Sequence, residues 1–230
     1  MAEFSRNAPG VVREEGLVVD VVSSSARKVL RNTYLLLAMT LAFSAVVAGF
    51  AVAFRLLPLH PILTIGVYFA LLFAVTKCRN SSLGVVFVFA LTGFLGYTLG
   101  PLLTYYLSLA QGGTIVMTAL GGTAAVFFAM SAIALTSRRD FSFLGSFLTA
   151  GILVAFLAGL ASLFFPMPAL SLAVSAAFVL LMTGLILYET QQILRGGETN
   201  YIMATVTLYV SIYNLFTSLL HLIAAFSGDD

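Results

Sequence analysis

Seven long runs of apolar residues, separated by short polar gaps, account for most of the chain. They lie at about 34–55, 62–76, 83–107, 114–137, 143–165, 169–194 and 201–226. A helix needs about 20 mostly apolar residues to cross a hydrocarbon core of about 30 Å, and each run meets or approaches that length. The pattern therefore predicts an all-α membrane protein with seven transmembrane helices.

The N-terminal part of the chain has a different composition. Residues 1–32 carry nine charged side chains and no apolar core of signal-peptide length, so we do not expect a cleaved leader. The sequence predicts two domains, a polar cytoplasmic tail at 1–32 and a seven-helix membrane domain at 33–230.

The basic residues predict the orientation of the bundle. Ten of the eleven fall on one side of the predicted membrane, and only Arg55 falls on the other. Basic residues are enriched in cytoplasmic loops, so we expect the N-terminus in the cytoplasm and the C-terminus outside. The ten are the five of the tail, followed by Lys77, Arg79, Arg138, Arg139 and Arg195.

Composition narrows the classes of function. Hydrophobic residues make up 60% of the chain and charged residues 9%, against roughly 25% charged in an average soluble domain. The net charge of +2 reflects orientation signals near lipid headgroups and does not indicate nucleic acid. The chain has one cysteine and two distant histidines, and it shows no Ser-His-Asp set or phosphate loop. We therefore expect no metal, no cofactor and no enzymatic activity.

Small residues recur at four-residue spacing in two of the predicted spans. They are Gly96 and Gly100 in the third span, and Gly151, Ala155 and Gly159 in the fifth. Such spacing favours close helix packing in lipid. The alternative is that the proline after Gly100 kinks the third helix and that this helix lines a cavity.

The last span carries a stripe of polar residues on one helical face. Thr207, Ser211, Asn214, Ser218 and His221 follow one another at steps of four, three, four and three. Polar groups in a bilayer need partners, so we expect this face to point towards other helices and the seventh helix to be central. Either the hydroxyls bond their own backbone while Asn214 bonds a neighbouring helix, or the stripe lines a wet path.

Glu189 is the most unusual residue of the spans. It precedes Arg195 by six positions, which places it about 9 Å inside the end of the sixth helix. A carboxyl group at that depth needs compensation. Three arrangements are open for this carboxyl group. It forms an ion pair with a basic residue such as Lys77 or Arg79, in a gate that protonation opens, or it forms hydrogen bonds as a neutral acid with the polar stripe of the seventh helix. In the third arrangement its side chain extends towards the lipid headgroups.

Several stretches resemble the Bax inhibitor family, also called the transmembrane Bax inhibitor motif family. The resemblance rests on 186-ILYETQQI-193, 208-LYVSIYNLF-216, 140-DFSFLGSFL-148 and 92-TGFLGYTLGP-101. It implies six helices around a central seventh. In some bacterial relatives, acids on the sixth and seventh helices form a proton-sensitive pair associated with calcium leak. Glu189 matches the first acid, whereas Ser211 replaces the second, which weakens that function here.

Other stretches are similar to the bacterial YccA-like subgroup of this family, namely 29-VLRNTYLLL-37, 119-ALGGTAAVFF-128 and 196-GGETNYIMATVTLYVSIYN-214. This resemblance implies an inner-membrane protein that modulates the membrane AAA protease FtsH and is slowly degraded by it. The expected partners are the lipid bilayer, FtsH and its associated membrane proteins. The alternative is a pH-sensitive leak for calcium or monovalent cations, with Glu189, Ser211, Asn214, Lys77 and Arg79 as candidate pH-sensing or gating residues.

Overall fold

The computed structural model describes residues 11–137, 139–165 and 167–228, with side chains from residue 24 onwards except that of Leu163. Within these ranges the chain forms seven α-helices, and each contains a segment long and apolar enough to cross a membrane. The helices are α1 (Val11–Ala53), α2 (Pro61–Cys78), α3 (Ser82–Leu107), α4 (Gly112–Thr136), α5 (Leu144–Phe164), α6 (Pro168–Arg195) and α7 (Tyr201–Phe226). The prediction of seven spanning helices is confirmed.

The first helix differs from its predicted boundary. The first span was predicted at about 34–55, whereas α1 begins at Val11 and continues without interruption to Ala53; the polar tail at 1–32 stays a prediction. Its segment suited to a membrane begins at Ser24. A continuous helix is compatible with the charged residues of this region, because a helix satisfies its own backbone hydrogen bonds whether its side chains lie in water or in lipid.

Local sequence signals explain several helix ends. Pro61 and Pro168 stand at the start of α2 and α6, where a missing N–H is harmless. Gly196 ends α6 in the left-handed conformation, with φ of 76°. The side chain of Asn200 then accepts hydrogen bonds from the N–H groups of Ile202 and Met203 and so caps α7. A tight hairpin therefore joins α6 and α7.

Helix α7 packs against five other helices, α1, α2, α3, α4 and α6. The helix α5 packs along α6. Leu208, Leu215 and Leu220 of α7 are fully buried. The arrangement of six helices around the seventh stays a prediction.

The glycines of α3 and α5 lie at helix contacts, as the packing interpretation expects. A Cβ atom on Gly96 would stand 2.5 Å from the carbonyl oxygen of Ser44, and one on Gly100 would collide with Ala51. Gly151 faces Leu181 of α6 in the same way. The absence of a side chain therefore lets α1 approach α3 and α5 approach α6.

Candidate functional site

Three loops meet at one end of the bundle, which we call the basic end. They are the α2–α3 loop with Arg79 and Asn80, the α4–α5 loop with Arg139 and Asp140, and the α6–α7 hairpin at 196–200. Hydrogen bonds between them, described below, hold the three loops together. The predicted site residues Glu189, Lys77 and Arg79 belong to this end.

Glu189 lies inside α6 with 8% of its surface exposed. Within the described part of the chain, its carboxyl group forms no hydrogen bond and no ion pair. Glu198, in the α6–α7 hairpin, is the charged residue that interacts electrostatically with it. Sequence reasoning did not single out Glu198, although its position directly after the two glycines of the hairpin places it beside the end of α6.

The structure does not bring Glu189 together with a basic partner among the residues it describes. Lys77 and Arg79 are exposed, and neither forms an ion pair with Glu189 among the described residues. Arg195 instead forms an ion pair with Asp140, at 3.0 Å between Nη1 and Oδ2. Arg138, another candidate cation, lies outside the described residues. The gate between Glu189 and a cation therefore stays a prediction.

Asp140 sits in the α4–α5 loop, outside the membrane-spanning segments. Hydrogen bonds from Ser142 to its carboxyl group, assisted by the charge of Arg195, hold the pKa of Asp140 below its usual value. The Ser142 N–H donates to Oδ1 at 2.8 Å. Asp140 therefore stays ionised and available to Arg195 under mildly acidic conditions.

The side chains of Ser211 and Asn214 form hydrogen bonds with the backbone of their own helix. The buried Ser211 hydroxyl donates to the carbonyl oxygen of Thr207 at 2.7 Å, and the Asn214 amide donates to that of Val210 at 2.8 Å. The first bond fits the expectation that hydroxyls bond their own backbone. That alternative also gave Asn214 a bond to a neighbouring helix, whereas its amide nitrogen donates to α7 itself. His221 does reach across, and its Nδ1 lies 2.8 Å from Oγ of Ser175 on α6.

The polar contacts that link α7 to other helices come mainly from tyrosines. The hydroxyl groups of Tyr209 and Ser44 are 2.5 Å apart, and Tyr209 also donates to the carbonyl oxygen of Thr92. The Tyr213 hydroxyl lies 2.8 Å from Thr98 Oγ1. Sequence reasoning missed both tyrosines because they count as apolar in a hydropathy pattern. Their spacing of four residues on one face of α7 was the available signal.

A second polar network joins the loops of the basic end. Gln191 of α6 is 4% exposed, and its Oε1 accepts from the Phe141 N–H at 2.7 Å while its Nε2 donates to the Arg139 carbonyl oxygen at 2.6 Å. Arg195 donates to the same carbonyl oxygen at 2.8 Å. Gln191 thus acts as a clamp between α6 and the α4–α5 loop.

Asn200 forms the corresponding link to the α2–α3 loop. Its Nδ2 donates to the carbonyl oxygen of Arg79 at 3.0 Å and to Oδ1 of Asn80 at 2.9 Å. Because the other end of the same side chain caps α7, this residue fixes both the hairpin and its neighbour. The basic end is consequently a braced surface formed by three loops.

An apolar cavity of about 690 Å³ lies between α1 and α4, with α3 and α7 forming its remaining walls. In the described part of the chain, no Cα atom of α1 lies within 8 Å of a Cα atom of α4. One hydrogen bond, from the Tyr34 hydroxyl to Ser131 Oγ at 3.0 Å, and one edge-to-face contact of Tyr34 with Phe127 join them at one end.

Comparison with known protein families identifies the family of this chain. Residues 26–228 match the family described as Bax1-I, inhibitor of apoptosis-promoting Bax1. The chain belongs to the Bax inhibitor family. The matched region contains the seven spanning segments apart from Ser24 and Ser25, the first two residues of the first segment. It also includes every candidate residue named above.

Several curated members of this family are similar over nearly their full length. The protein named "Modulator of FtsH protease YccA" of Escherichia coli K12 is 52% identical over 205 residues, covering 89% of this chain and 93% of the relative. "Uncharacterized protein PA2604" of Pseudomonas aeruginosa is 53% identical over 203 residues, covering 88% and 91%. An "Uncharacterized membrane protein" of Vibrio cholerae is 41% identical over 207 residues, covering 88% and 92%.

The comparisons also bear on location. A second Escherichia coli relative, 52% identical over 205 residues, is named "Inner membrane protein YccA". Together with the seven spanning helices, this shows that the chain is a multi-pass protein of the bacterial inner membrane. The YccA-like resemblance found in the sequence is confirmed.

Proposed function

We propose that this protein modulates a membrane-anchored AAA protease of the FtsH type and is itself a slow substrate of that protease. The observation that carries the proposal is the identity of 52% to the relative named as a modulator of FtsH protease, over 89% of this chain. The role is one of binding. It requires no catalytic group, no metal and no cofactor.

The orientation that fits this role places the basic end and the N-terminal tail in the cytoplasm and the C-terminus outside. Arg79, Arg139 and Arg195 lie together at the basic end, where the positive-inside rule expects them. In this arrangement six helices surround α7. The contacts of α7 with five other helices support such a central position.

The proposed mechanism follows from the difference between the tail and the bundle. An ATP-driven protease engages a polar segment and then pulls on the structure behind it. Here that structure is a bundle with close α1–α3 packing at Gly96 and Gly100 and with loops braced by Gln191 and Asn200. Because such a bundle resists extraction, the protease is occupied while degradation proceeds slowly.

Turnover in cells tests this proposal. A variant lacking residues 2–10 keeps all of α1 as described, and a control replaces the same residues with a glycine–serine segment of equal length. We expect the deletion variant to have a longer half-life than the intact chain in cells with FtsH, the glycine–serine control to keep the half-life of the intact chain, and all three to have equal half-lives without FtsH. The intact chain, overproduced, should also slow the degradation of another FtsH substrate. Unchanged turnover of the deletion variant, together with unchanged degradation of the second substrate, would contradict the proposal.

A second candidate function is a pH-sensitive leak for calcium or monovalent cations. The burial of Glu189 without a partner in the described chain favours it, because such a group changes its interactions when it gains or loses a proton. Lys77 and Arg79 at the basic end and Ser211 and Asn214 further along the bundle would then border the path. The engagement of Ser211 and Asn214 with their own backbone means that this path requires a different conformation.

Ion flux in liposomes tests the second candidate. Calcium and potassium flux would be measured below and above neutral pH for the intact protein and for Glu189→Gln, with Glu198→Gln as the control acid outside the spans. A leak gated by Glu189 should lose its pH dependence in Glu189→Gln and keep most of it in Glu198→Gln. Flux of the intact protein equal to that of empty liposomes would remove this candidate.

A further inference from the structure

We propose that the cavity between α1 and α4 is a binding site for one acyl chain of a membrane phospholipid. This site is separate from the loops and acids on which the proposed functions rest. Its wall extends along α1 from Tyr34 to Gly49, a length of about 22 Å at 1.5 Å per residue. Both bordering helices contain membrane-spanning segments, so the cavity lies where hydrocarbon surrounds the protein.

The wall offers little to a polar ligand or to water, because it is almost entirely apolar. Five side-chain hydroxyls line the cavity, and each already has a hydrogen-bond partner. Those of Tyr34, Ser44, Tyr209 and Tyr213 bond hydroxyls of other helices, and that of Thr123 bonds its own helix backbone. Water is stable in a cavity only when it finds two to four polar partners. The wall therefore favours an apolar occupant.

The cavity opens sideways towards lipid. Ala45 and Gly49 on α1 and Ala124 and Phe128 on α4 line it and are also exposed. The small residues of α1 leave room at the opening, and a Cβ atom added at Gly49 would have nothing within 4 Å. An apolar gap of this kind is unfavourable when empty, because its wall atoms lose dispersion contacts. Neighbouring acyl chains are the molecules at hand to fill it.

The volume is sufficient for a single extended chain. Spread over its length, 690 Å³ corresponds to an average cross-section of about 30 Å². Apolar groups contact at about 4.0–4.5 Å, so an extended methylene chain needs on the order of 20 Å². The cavity therefore accommodates a hydrocarbon chain along its length.

The occupant would contact the centre of the bundle. Tyr209, Tyr213 and Phe216 of α7 form the floor of the cavity, and Tyr209 also bonds Ser44 of α1. A bound chain would add packing between α1 and α4, whose Cα atoms lie more than 8 Å apart and which Tyr34 joins at one end. The phospholipid is thus a structural ligand that completes the bundle between these two helices.

The amount of phospholipid that the protein retains in mild detergent tests this proposal. The full chain would be reconstituted in nanodiscs of palmitoyl-oleoyl phosphatidylethanolamine and phosphatidylglycerol, released into mild detergent and weighed by native mass spectrometry. Gly49→Phe fills the cavity, and Ala45→Leu is a second, milder variant on the same wall. Gly121→Phe is the matched control, because Gly121 lies in α4 with the same open space but does not line the cavity.

We expect the intact chain and Gly121→Phe to retain about one phospholipid per chain, and the two cavity variants to retain at least about fivefold less, because an added side chain overfills the site. Equal retention by all four proteins, or a lipid-free intact chain, would overturn the proposal. A lipid-free two-chain species that Gly49→Phe converts to one chain would assign the cavity to a second copy. A retained mass of a free fatty acid would assign it to that ligand instead.

Discussion

The clamp formed by Gln191 leads to a prediction that the structure makes quantitative. Its side chain holds the α4–α5 loop through the Phe141 N–H and the Arg139 carbonyl oxygen. Replacing it with methionine keeps a side chain of similar length and flexibility but removes both hydrogen bonds. The substitution should therefore free the loop from α6 while leaving the packing of the helix nearly unchanged.

The expected loss of free energy holding the loop to α6 follows from the hydrogen bond that each partner of Gln191 loses. The Phe141 N–H has Gln191 as its described partner, and an unsatisfied donor costs about 1–3 kcal/mol where it is buried. The Arg139 carbonyl oxygen keeps its hydrogen bond from Arg195, so losing the bond from Gln191 costs about 0.5–1.5 kcal/mol. Water reaches this loop and offsets part of both losses. We expect a total of about 2 kcal/mol, which corresponds to about a 30-fold change in the opening equilibrium of the loop.

Hydrogen exchange followed by mass spectrometry measures this opening. Peptides that cover the α4–α5 loop should exchange about 30-fold faster in Gln191→Met than in the intact protein, and peptides from the centre of α7 should not change. Gln192→Met is the matched control. Gln192 is the next residue of α6, and its side chain forms no hydrogen bond among the described residues.

Two results would refute the reasoning. Equal exchange of the loop in Gln191→Met and in the intact protein would show that the two hydrogen bonds do not hold the loop in place. Equal acceleration by Gln191→Met and Gln192→Met would show a general effect on the end of α6. A specific role of Gln191 requires the difference between the two variants.

Three further predictions concern helix packing and loop charge. Tyr209→Phe removes the bond to Ser44 and should lower the unfolding free energy in detergent micelles by about 1 kcal/mol, while preserving the aromatic packing. Gly96→Ala should lower the unfolding free energy in the same micelles by about 1–3 kcal/mol, because its methyl group would press on the Ser44 backbone. Gly66→Ala, whose methyl group would enter open space, should leave the unfolding free energy unchanged or raise it slightly. Because the pKa of Asp140 is lowered in the folded protein, its contribution to stability is present above the usual aspartate pKa and is lost as the pH falls through the lowered value. The stability difference between the intact chain and Asp140→Asn should therefore shrink on acidification, and a difference that is constant with pH would contradict this.

The residues at the ends of α6 and α7 show which parts of the site a sequence can predict. Gly196 and Asn200 act through neighbours within a few positions of themselves, so their roles as a helix stop and a helix cap are of the kind that local sequence can predict. Glu189 was identified by its depth in an apolar run, and its burial is confirmed. Its partners could not be inferred, because several basic residues are assigned to the same end of the bundle and the pattern does not show which of them approaches it.

Other important residues gave no signal in the pattern. Gln191 resembles any polar residue near the end of a helix until Phe141 and Arg139, about fifty positions earlier, are placed beside it. Tyr209 counts as an apolar residue until Ser44 and the backbone of Thr92 reach its hydroxyl group. These contacts depend on how the helices are arranged in space, which the periodicity of a single helix does not describe.

The sequence by itself determined the class of the protein and its seven spanning helices. It did so because a run of about 20 apolar residues is stable as a helix in lipid whatever surrounds it. The tertiary structure decided which loops are clamped, which hydroxyls meet and where α1 and α4 leave a cavity. Those features depend on the distance between helices that are remote in the sequence, and in a bilayer that distance is set by the detailed fit of side chains and not by hydrophobicity.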